Sequence, residues 1–132
     1  MATERAVSEL SASFSADRAR LAKLLALIRE KRGAETVVLD MRDFSLGTDY
    51  FIVTEGNNAK QLRAIAENII EGFPYRLLHR EGQDSRSWTV LDYGDIMVHI
   101  LAPEARRFYD LEGLWGDTVI NLEEEESGVP AR

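Results

Sequence analysis

Aspartates and histidines are the residues of this chain whose side chains could bind a metal ion or transfer a proton. The closest aspartate pairs are Asp40 with Asp43 and Asp92 with Asp95, and each pair is spaced by three residues. Because side chains alternate between the two faces of a strand, neither spacing places both carboxylates on one face. The sequence therefore does not predict the paired-carboxylate metal site that phosphoryl and nucleotidyl transfer require.

The two histidines, His79 and His99, are the other candidates, and the chain has no cysteine. Two histidines without a thiolate are too few ligands for a typical zinc site. His99 lies within an apolar run and shares a strand face with Met97 and Leu101. This pattern favours a half-buried histidine that is hydrogen-bonded to a carboxylate or carbonyl group, and a supporting role near a partner surface is the alternative. Because the common nucleotide, hydrolase and zinc-protease motifs are also absent from the sequence, we predict no catalytic residue, metal or cofactor.

An acidic turn between two apolar runs is typical of a β-hairpin. Asp92 and Asp95 bracket this turn, and Gly94 permits its tight geometry. One interpretation is ordinary turn chemistry, in which an aspartate accepts a hydrogen bond from a nearby backbone N–H group. The other is a recognition tip, in which Tyr93 is exposed between two carboxylates and contacts an arginine or lysine of a partner.

Trp88 begins the first of these apolar runs after a polar loop. It is either a core tryptophan or an exposed anchor of the type that often dominates protein interfaces. Residues 88–126 carry ten acidic and two basic residues, whereas residues 1–32 have a net charge of +3. A surface this negative repels phosphate, so we expect little direct nucleic-acid binding there and a basic protein as the partner.

The segment after the hairpin has the spacing of a helix. Phe108, Leu111 and Trp115 are three and four residues apart, and we expect them to pack inward. Tyr109 and Glu112 fall on a neighbouring face and are candidate contacts for a partner.

Two motifs in this part of the chain carry a family resemblance. They are W-T-V-L-D-Y-G-D-I-M-V-H-I-L, starting at Trp88, and E-A-R-R-F-Y-D-L-E-G-L-W, ending at Trp115. Both resemble motifs of the iojap-like proteins, known in bacteria as ribosomal silencing factors. The resemblance continues in T-D-Y-F-I-V at residues 48–53 and in Q-L-R-A-I-A at residues 61–66. It covers roughly residues 21–122.

The resemblance implies a nucleotidyltransferase-like α/β fold without catalysis. It also implies that Trp88 belongs to a surface facing the large ribosomal subunit, where the family docks on a ribosomal protein at the subunit interface (the fourteenth of the large subunit). The bound factor would sterically block joining of the small subunit and so repress translation when nutrients are short. A cryptic nucleotide-binding protein of the same fold and a structural homodimer are the alternative functions.

The remaining pattern predicts one α/β domain with a mixed sheet and flanking helices. Gly33 is the expected end of the first helix, and the apolar stripes that predict the first two helices are Leu21, Leu24, Leu25 and Ile28, and Leu62, Ile65, Ala66 and Ile69. The chain has 132 residues with 45% apolar and 30% charged composition, which suits a single folded unit. We expect a flexible lead-in at residues 1–14, the domain at 15–122 and an acidic flexible tail at 123–132. No secretory or membrane-spanning pattern is evident, so we expect a cytoplasmic protein. The expected strands are residues 36–39, 50–54, 75–79, 88–91, 96–101 and 118–122.

Overall fold

The chain folds into an α/β structure with a mixed sheet, as the sequence predicts. The computed structural model describes residues 2–44, 46–111, 113 and 119–120, and of residues 2–15 it describes the backbone alone. The helices are α1 (Ala2–Glu30), α2 (Ala59–Gly72) and α3 (Pro103–Tyr109), with a short 3-10 turn at Arg42–Phe44. The strands are β1 (Ala34–Asp40), β2 (Tyr50–Glu55), β3 (His79–Glu81), β4 (Trp88–Asp92), β5 (Ile96–Leu101) and β6 (Val119–Ile120).

The six strands described form one sheet in the order β3-β4-β5-β2-β1-β6. Strands β2 and β5 are parallel and pair from Tyr50 with Ile96 to Glu55 with Leu101. The other neighbouring strands are antiparallel. The predicted hairpin of β4 and β5 and the predicted edge strand near residue 119 are both confirmed, although β6 spans only two residues.

Helices α1 and α2 cover one face of the sheet and enclose the main core. The apolar stripes of both helices are buried as the spacing predicts, and Leu25 is partly buried at the margin. The stripe residues and their main sheet partners are Leu21, Leu24, Ile28, Leu62, Ile65, Ala66, Ile69, Ile52, Val98 and Ile100. Within the part of the chain that is described, no helix is long and apolar enough to cross a membrane.

The opposite face of the sheet is covered mainly at one end, by α3. A second apolar cluster there joins α3 to strands β1, β2 and β5, and its buried members are Leu39, Met41, Phe51, Val53, Leu101 and Ala105. Val37, Trp88 and Met97 pack against this cluster but are only partly buried. Among the described residues, α1 and α2 therefore pack on one face of the sheet, and the other face has partly exposed side chains.

The helix ends follow the expected chemistry with one exception. The Asn58 side chain caps α2 by accepting a hydrogen bond from the Gln61 N–H group at 2.9 Å. At the end of α1 the left-handed residue is Arg32, with φ of 62°, and not the expected Gly33. Gly33 is required for a different reason, since a Cβ atom there would lie 2.3 Å from Cγ2 of Ile28.

Two element boundaries differ from the sequence prediction. Helix α1 begins at Ala2, well before Ser15, from which the sequence pattern predicts it. That residues 1–14 are a flexible lead-in stays a prediction. The expected strand at residues 75–79 was wrong, because β3 begins only at His79. Pro74 explains the shift: it follows the end of α2, and the Tyr75 N–H group closes a tight turn on the Phe73 carbonyl at 2.8 Å.

Candidate partner-binding site

Trp88 is the first residue of β4 and lies on the less covered face of the sheet. It pairs with Leu101 of β5, and its side chain packs at the margin of the second apolar cluster. The indole is partly buried, so it is not the enclosed core residue that was one of the two alternatives. A partly exposed anchor for a partner stays a prediction. One part of the ring is fixed by the fold while another part faces solvent.

His99 holds the indole in place from the adjacent strand. The Trp88 Nε1–H group donates a hydrogen bond to Nδ1 of His99 at 3.1 Å. The imidazole is only 7% exposed and meets the Phe51 ring edge-on at a centroid separation of 4.6 Å. Burial lowers the pKa of His99 to about 4, so the ring is neutral at pH 7. With Nδ1 as acceptor, the proton is on Nε2, which has no hydrogen-bond partner among the described residues.

The expected environment of His99 was therefore wrong in two respects. The residue is buried instead of half-buried, and its partner is an indole instead of a carboxylate or carbonyl group. The register explains the contact. His99 is opposite Val90, so Trp88 lies diagonally across the antiparallel pair, within reach of a long side chain.

Tyr109 completes an aromatic cluster with Trp88 at the end of α3. The two ring centroids are 4.5 Å apart, and Tyr109 is 49% exposed. Neighbouring Phe108 lies edge-on to Tyr109 at 5.1 Å and is 81% exposed. A tyrosine partly packed against a fixed indole presents a rigid, amphipathic surface at low entropic cost.

The expectation that Phe108 packs inward was wrong. Helix α3 ends at Tyr109, and Asp110 adopts a left-handed conformation with φ of 44°. This break interrupts the helical phase, so the spacing between Phe108 and Leu111 no longer places them on one face. Leu111 still packs against the second apolar cluster. The other two residues predicted on this segment, Glu112 and Trp115, lie outside the described residues.

The tip of the β4–β5 hairpin differs from the predicted recognition tip. Tyr93 is only 8% exposed, and its ring packs edge-on against Phe73 at 5.0 Å. Its expected exposure between two carboxylates was therefore wrong, because the ring joins the main core below the end of α2. Burial also raises the pKa of its phenol.

Both carboxylates of the tip already have partners in the chain. Asp92 accepts a hydrogen bond from the Gly94 N–H group at 2.7 Å, and Gly94 has φ of 94°. Asp95 pairs with Arg20 of α1, which also contacts Asp17 at 2.7 Å. Turn chemistry thus accounts for Asp92, and a tertiary ion pair accounts for Asp95. The Asp95 side chain nevertheless keeps 36% exposure.

Several residues of the same sheet face were missed by the sequence analysis. Val90 is opposite His99, and Met97 is opposite Asp92, and both are partly exposed. Beside them on the edge strand, His79 contacts Glu81 at 2.6 Å. The alternation of side chains along the strand W-T-V-L-D could have identified Val90, because it places Trp88 and Val90 on one face.

Together these residues form what we call the aromatic face: Trp88, Val90, Asp92, Met97, His99 and Tyr109. It combines a fixed and partly exposed aromatic pair with apolar and acidic neighbours. Within the described residues there is no group of three or more metal-binding side chains. The arrangement suits binding of a macromolecule, with the aromatic pair as its anchor.

Fold and site define a small α/β protein with a partly exposed aromatic pair on one face of a mixed sheet. Residues 15–132 match the family described as ribosomal silencing factor during starvation, and the chain belongs to this family. This membership confirms the resemblance in the hairpin and helix motifs and the expected role in translation regulation at the ribosome.

Individual relatives agree with the family assignment. The ribosomal silencing factor of Bacillus subtilis is 38% identical over 91 residues, which is 67% of this chain and 77% of the relative. The corresponding protein of Halalkalibacterium halodurans is 33% identical over 93 residues, or 68% of this chain and 80% of the relative. A crystal structure from Chromobacterium violaceum superposes with a TM-score of 0.70 at 26% identity, covering 74% of this chain and 83% of that one.

Proposed function

We propose that this protein binds the large ribosomal subunit through the aromatic face and sterically prevents the small subunit from joining. The observation that carries the proposal is the Trp88–Tyr109 pair, which is partly exposed yet fixed by the hydrogen bond to His99. In a chain of the ribosomal silencing family, a preorganised aromatic pair on an incompletely covered sheet face is the natural contact surface.

The direct partner in this proposal is a basic ribosomal protein on the interface side of the subunit, the fourteenth in the large-subunit numbering. The aromatic pair supplies contact area, and the surrounding acidic residues supply charge complementarity. Asp92 and the exposed Glu81 lie on the same face of β4 and β3. Opposite charges across an interface accelerate association and favour the correct partner.

Silencing in this proposal requires occupancy and no catalysis. A protein bound at the subunit interface excludes the small subunit by volume alone, so the buried, neutral His99 positions the indole and transfers no proton. We expect the protein to act in the cytoplasm.

A homodimer is a second candidate because Phe108 is 81% exposed beside the same aromatic pair. Two copies could cover this apolar surface by pairing through it. Dimer formation and ribosome binding would then compete for one surface.

Co-sedimentation with purified large and small subunits tests the proposal. We expect the protein to pellet with free large subunits and not with small subunits. The Trp88→Ala variant should pellet much less, whereas Lys23→Ala, which alters an exposed residue of α1, should behave as the wild type. Equal recovery of Trp88→Ala and wild type with large subunits would remove the aromatic face from the interface. Light scattering of the free protein, with Phe108→Ala as the comparison, tests the dimer.

A further inference from the structure

A group of exposed cations lies at the end of the molecule where α2 begins. They come from three separate segments: the α1–β1 turn, the first turns of α2 and the loop between β3 and β4. We call this group the basic edge, and its members are Lys31, Arg32, Lys60, Arg63 and Arg86. It has no part in the aromatic face described above.

Hydrogen bonds hold the three segments together. The Gln61 side-chain amide donates to the carbonyl groups of Lys31 and Arg32, at 3.3 and 3.0 Å, and so fixes the α1–β1 turn against α2. Lys60 and Arg86 line a common hollow of about 520 Å³ beside Asn58. The basic edge is therefore one contiguous surface.

The charges of the basic edge are not neutralised by ion pairs among the described residues. None of its five cations forms an ion pair with any residue that the structure describes. Two neighbouring carboxylates are engaged elsewhere, since Glu30 accepts a hydrogen bond from Asn68 and Glu55 pairs with Arg106. The exposed carboxylates Glu35 and Asp84 are close to these cations in the sequence, but the five cations outnumber them.

The charge order along α2 is opposite to the order that stabilises a helix. The N-terminus of a helix favours anions and its C-terminus favours cations. Helix α2 has no acidic residue in its first turn and no basic residue in its last turn. Instead, Lys60 and Arg63 are near its start, and Glu71 is near its end. Because helix stability disfavours this order, the cations at the start of α2 are better explained by an external anionic partner.

The basic edge borders the aromatic face. Arg86 precedes Trp88 by two residues, and Ser85 Oγ accepts hydrogen bonds from the N–H groups of Ser87 and Trp88 at 3.0 and 3.1 Å. The Ala102 N–H group donates to the Ser87 carbonyl at 2.8 Å, which ties this loop to the start of α3. A partner bound at Trp88 is therefore immediately next to Arg86.

We propose that the basic edge contacts the phosphate backbone of ribosomal RNA beside the protein bound by the aromatic face. This inference rests on the proposed function, because docking at Trp88 brings the basic edge against the subunit surface. The acidic residues beside Trp88 and the basic edge then contact two chemically different neighbours. The expectation of little nucleic-acid binding was based on the acidic residues 88–126, and the basic edge lies outside that segment.

The salt dependence of binding to large subunits tests the proposal. The double variant Lys60→Gln/Arg86→Gln removes two cations of the basic edge. Its control, Lys23→Gln/Arg76→Gln, removes two exposed cations elsewhere and has the same net charge. We expect the magnitude of the slope of log affinity against log salt concentration to be about two smaller for the edge variant than for the wild type. At about 50 mM salt the edge variant should bind roughly tenfold or more weakly. The control should match the wild type.

Stability and partner controls separate the possible outcomes. The Lys60→Gln change should leave the melting temperature unchanged or raise it, so weaker binding would not reflect unfolding. Equal salt slopes and affinities for the edge variant and wild type would overturn the inference. The inference would also be overturned if the edge variant lost the same factor of affinity for the isolated, RNA-free interface protein as for large subunits. The cations would then contact protein. Wild-type protein that does not bind large subunits would refute the proposed function itself.

Discussion

The Trp88 indole and the His99 imidazole are joined by a hydrogen bond of 3.1 Å from Nε1–H to Nδ1. This contact links the first residue of β4 to the middle of β5 and fixes the indole beside Tyr109. A tryptophan side chain normally loses rotamer freedom when a partner binds. Here the fold has already restricted the ring, which lowers the entropic cost of binding.

Replacing Trp88 should affect binding more than folding. We expect Trp88→Ala to weaken binding to large subunits by roughly 2 kcal/mol or more. Its cost in folding should be less than the ~3–5 kcal/mol of a fully buried tryptophan deletion, because the ring is partly exposed. Urea denaturation and large-subunit affinity, measured on the same preparations, check both values.

The Trp88→Phe variant separates the hydrogen bond from the ring contact. It keeps an aromatic ring beside Tyr109 but leaves the buried Nδ1 of His99 without a donor, which should cost about 1 kcal/mol in folding. If Trp88→Phe is as stable as the wild type, the hydrogen bond to His99 does not support the site.

The buried imidazole of His99 should make stability depend on pH. Its folded pKa of about 4 is below the usual value of 6.5, so the unfolded chain binds a proton more readily than the folded one. Stability should therefore rise with pH between about 4 and 6.5. Lowering the pH from about 7 to about 5 should cost roughly 2 kcal/mol through this residue.

The His99→Asn variant provides the matching control for this pH effect. Its side-chain oxygen can replace Nδ1 as an acceptor but does not titrate. We expect the free energy of unfolding of the variant to change less between pH 5 and pH 7, whatever its absolute stability. A His99→Asn slope equal to that of the wild type would contradict the burial of a neutral ring.

Phe108 and Tyr109 should behave differently although they are adjacent. Tyr109→Ala removes the ring in contact with Trp88 and should lower stability by about 0.5–1.5 kcal/mol, with a further loss in ribosome binding. Phe108→Ala should change stability by only about 0.5 kcal/mol, because its side chain is 81% exposed. Thermal melting of the two variants distinguishes this arrangement from the inward-packed Phe108 that helical spacing predicts.

The ion pair between Arg20 and Asp95 should stabilise the fold in a salt-dependent way. Both side chains are partly exposed, at 20% and 36%, so Asp95→Asn should cost at most about 1 kcal/mol at low salt. The difference should shrink near 1 M salt, where screening is strong. Asp84→Asn, in an exposed loop, is the control. A loss for Asp95→Asn that is insensitive to salt would show that the aspartate acts by another contact.

The sequence predicted the parts of the fold that depend on local periodicity. The stripes of α1 and α2 were evident because their apolar residues recur at helical spacing, and the β4–β5 hairpin followed from two apolar runs around a glycine turn. Strand β3 was misplaced because it has no apolar run. Its residues His79 and Glu81 are polar, and the strand is defined by pairing with β4, which is a tertiary property.

The candidate site was only partly predictable for the same reason. Trp88 and Tyr109 were identified as contact candidates, and the structure brings them together at 4.5 Å. The burial of Tyr93 depends on Phe73, which is twenty residues away in the sequence, and the partner of Asp95 is on α1. Such long-range contacts leave no periodic signal. Contact of Asp92, Asp95 and Glu112 with a partner stays a prediction.

Subunit joining measured by light scattering tests the central claim most directly. Purified large and small subunits are mixed with increasing amounts of the wild-type protein or of Trp88→Ala/Tyr109→Ala. We predict that the wild type, added to large subunits before the small subunits, lowers the light-scattering amplitude of joining until all free large subunits are occupied. The double variant should require much higher concentrations for the same reduction. Undiminished joining in the presence of saturating, folded wild-type protein would contradict the proposed function.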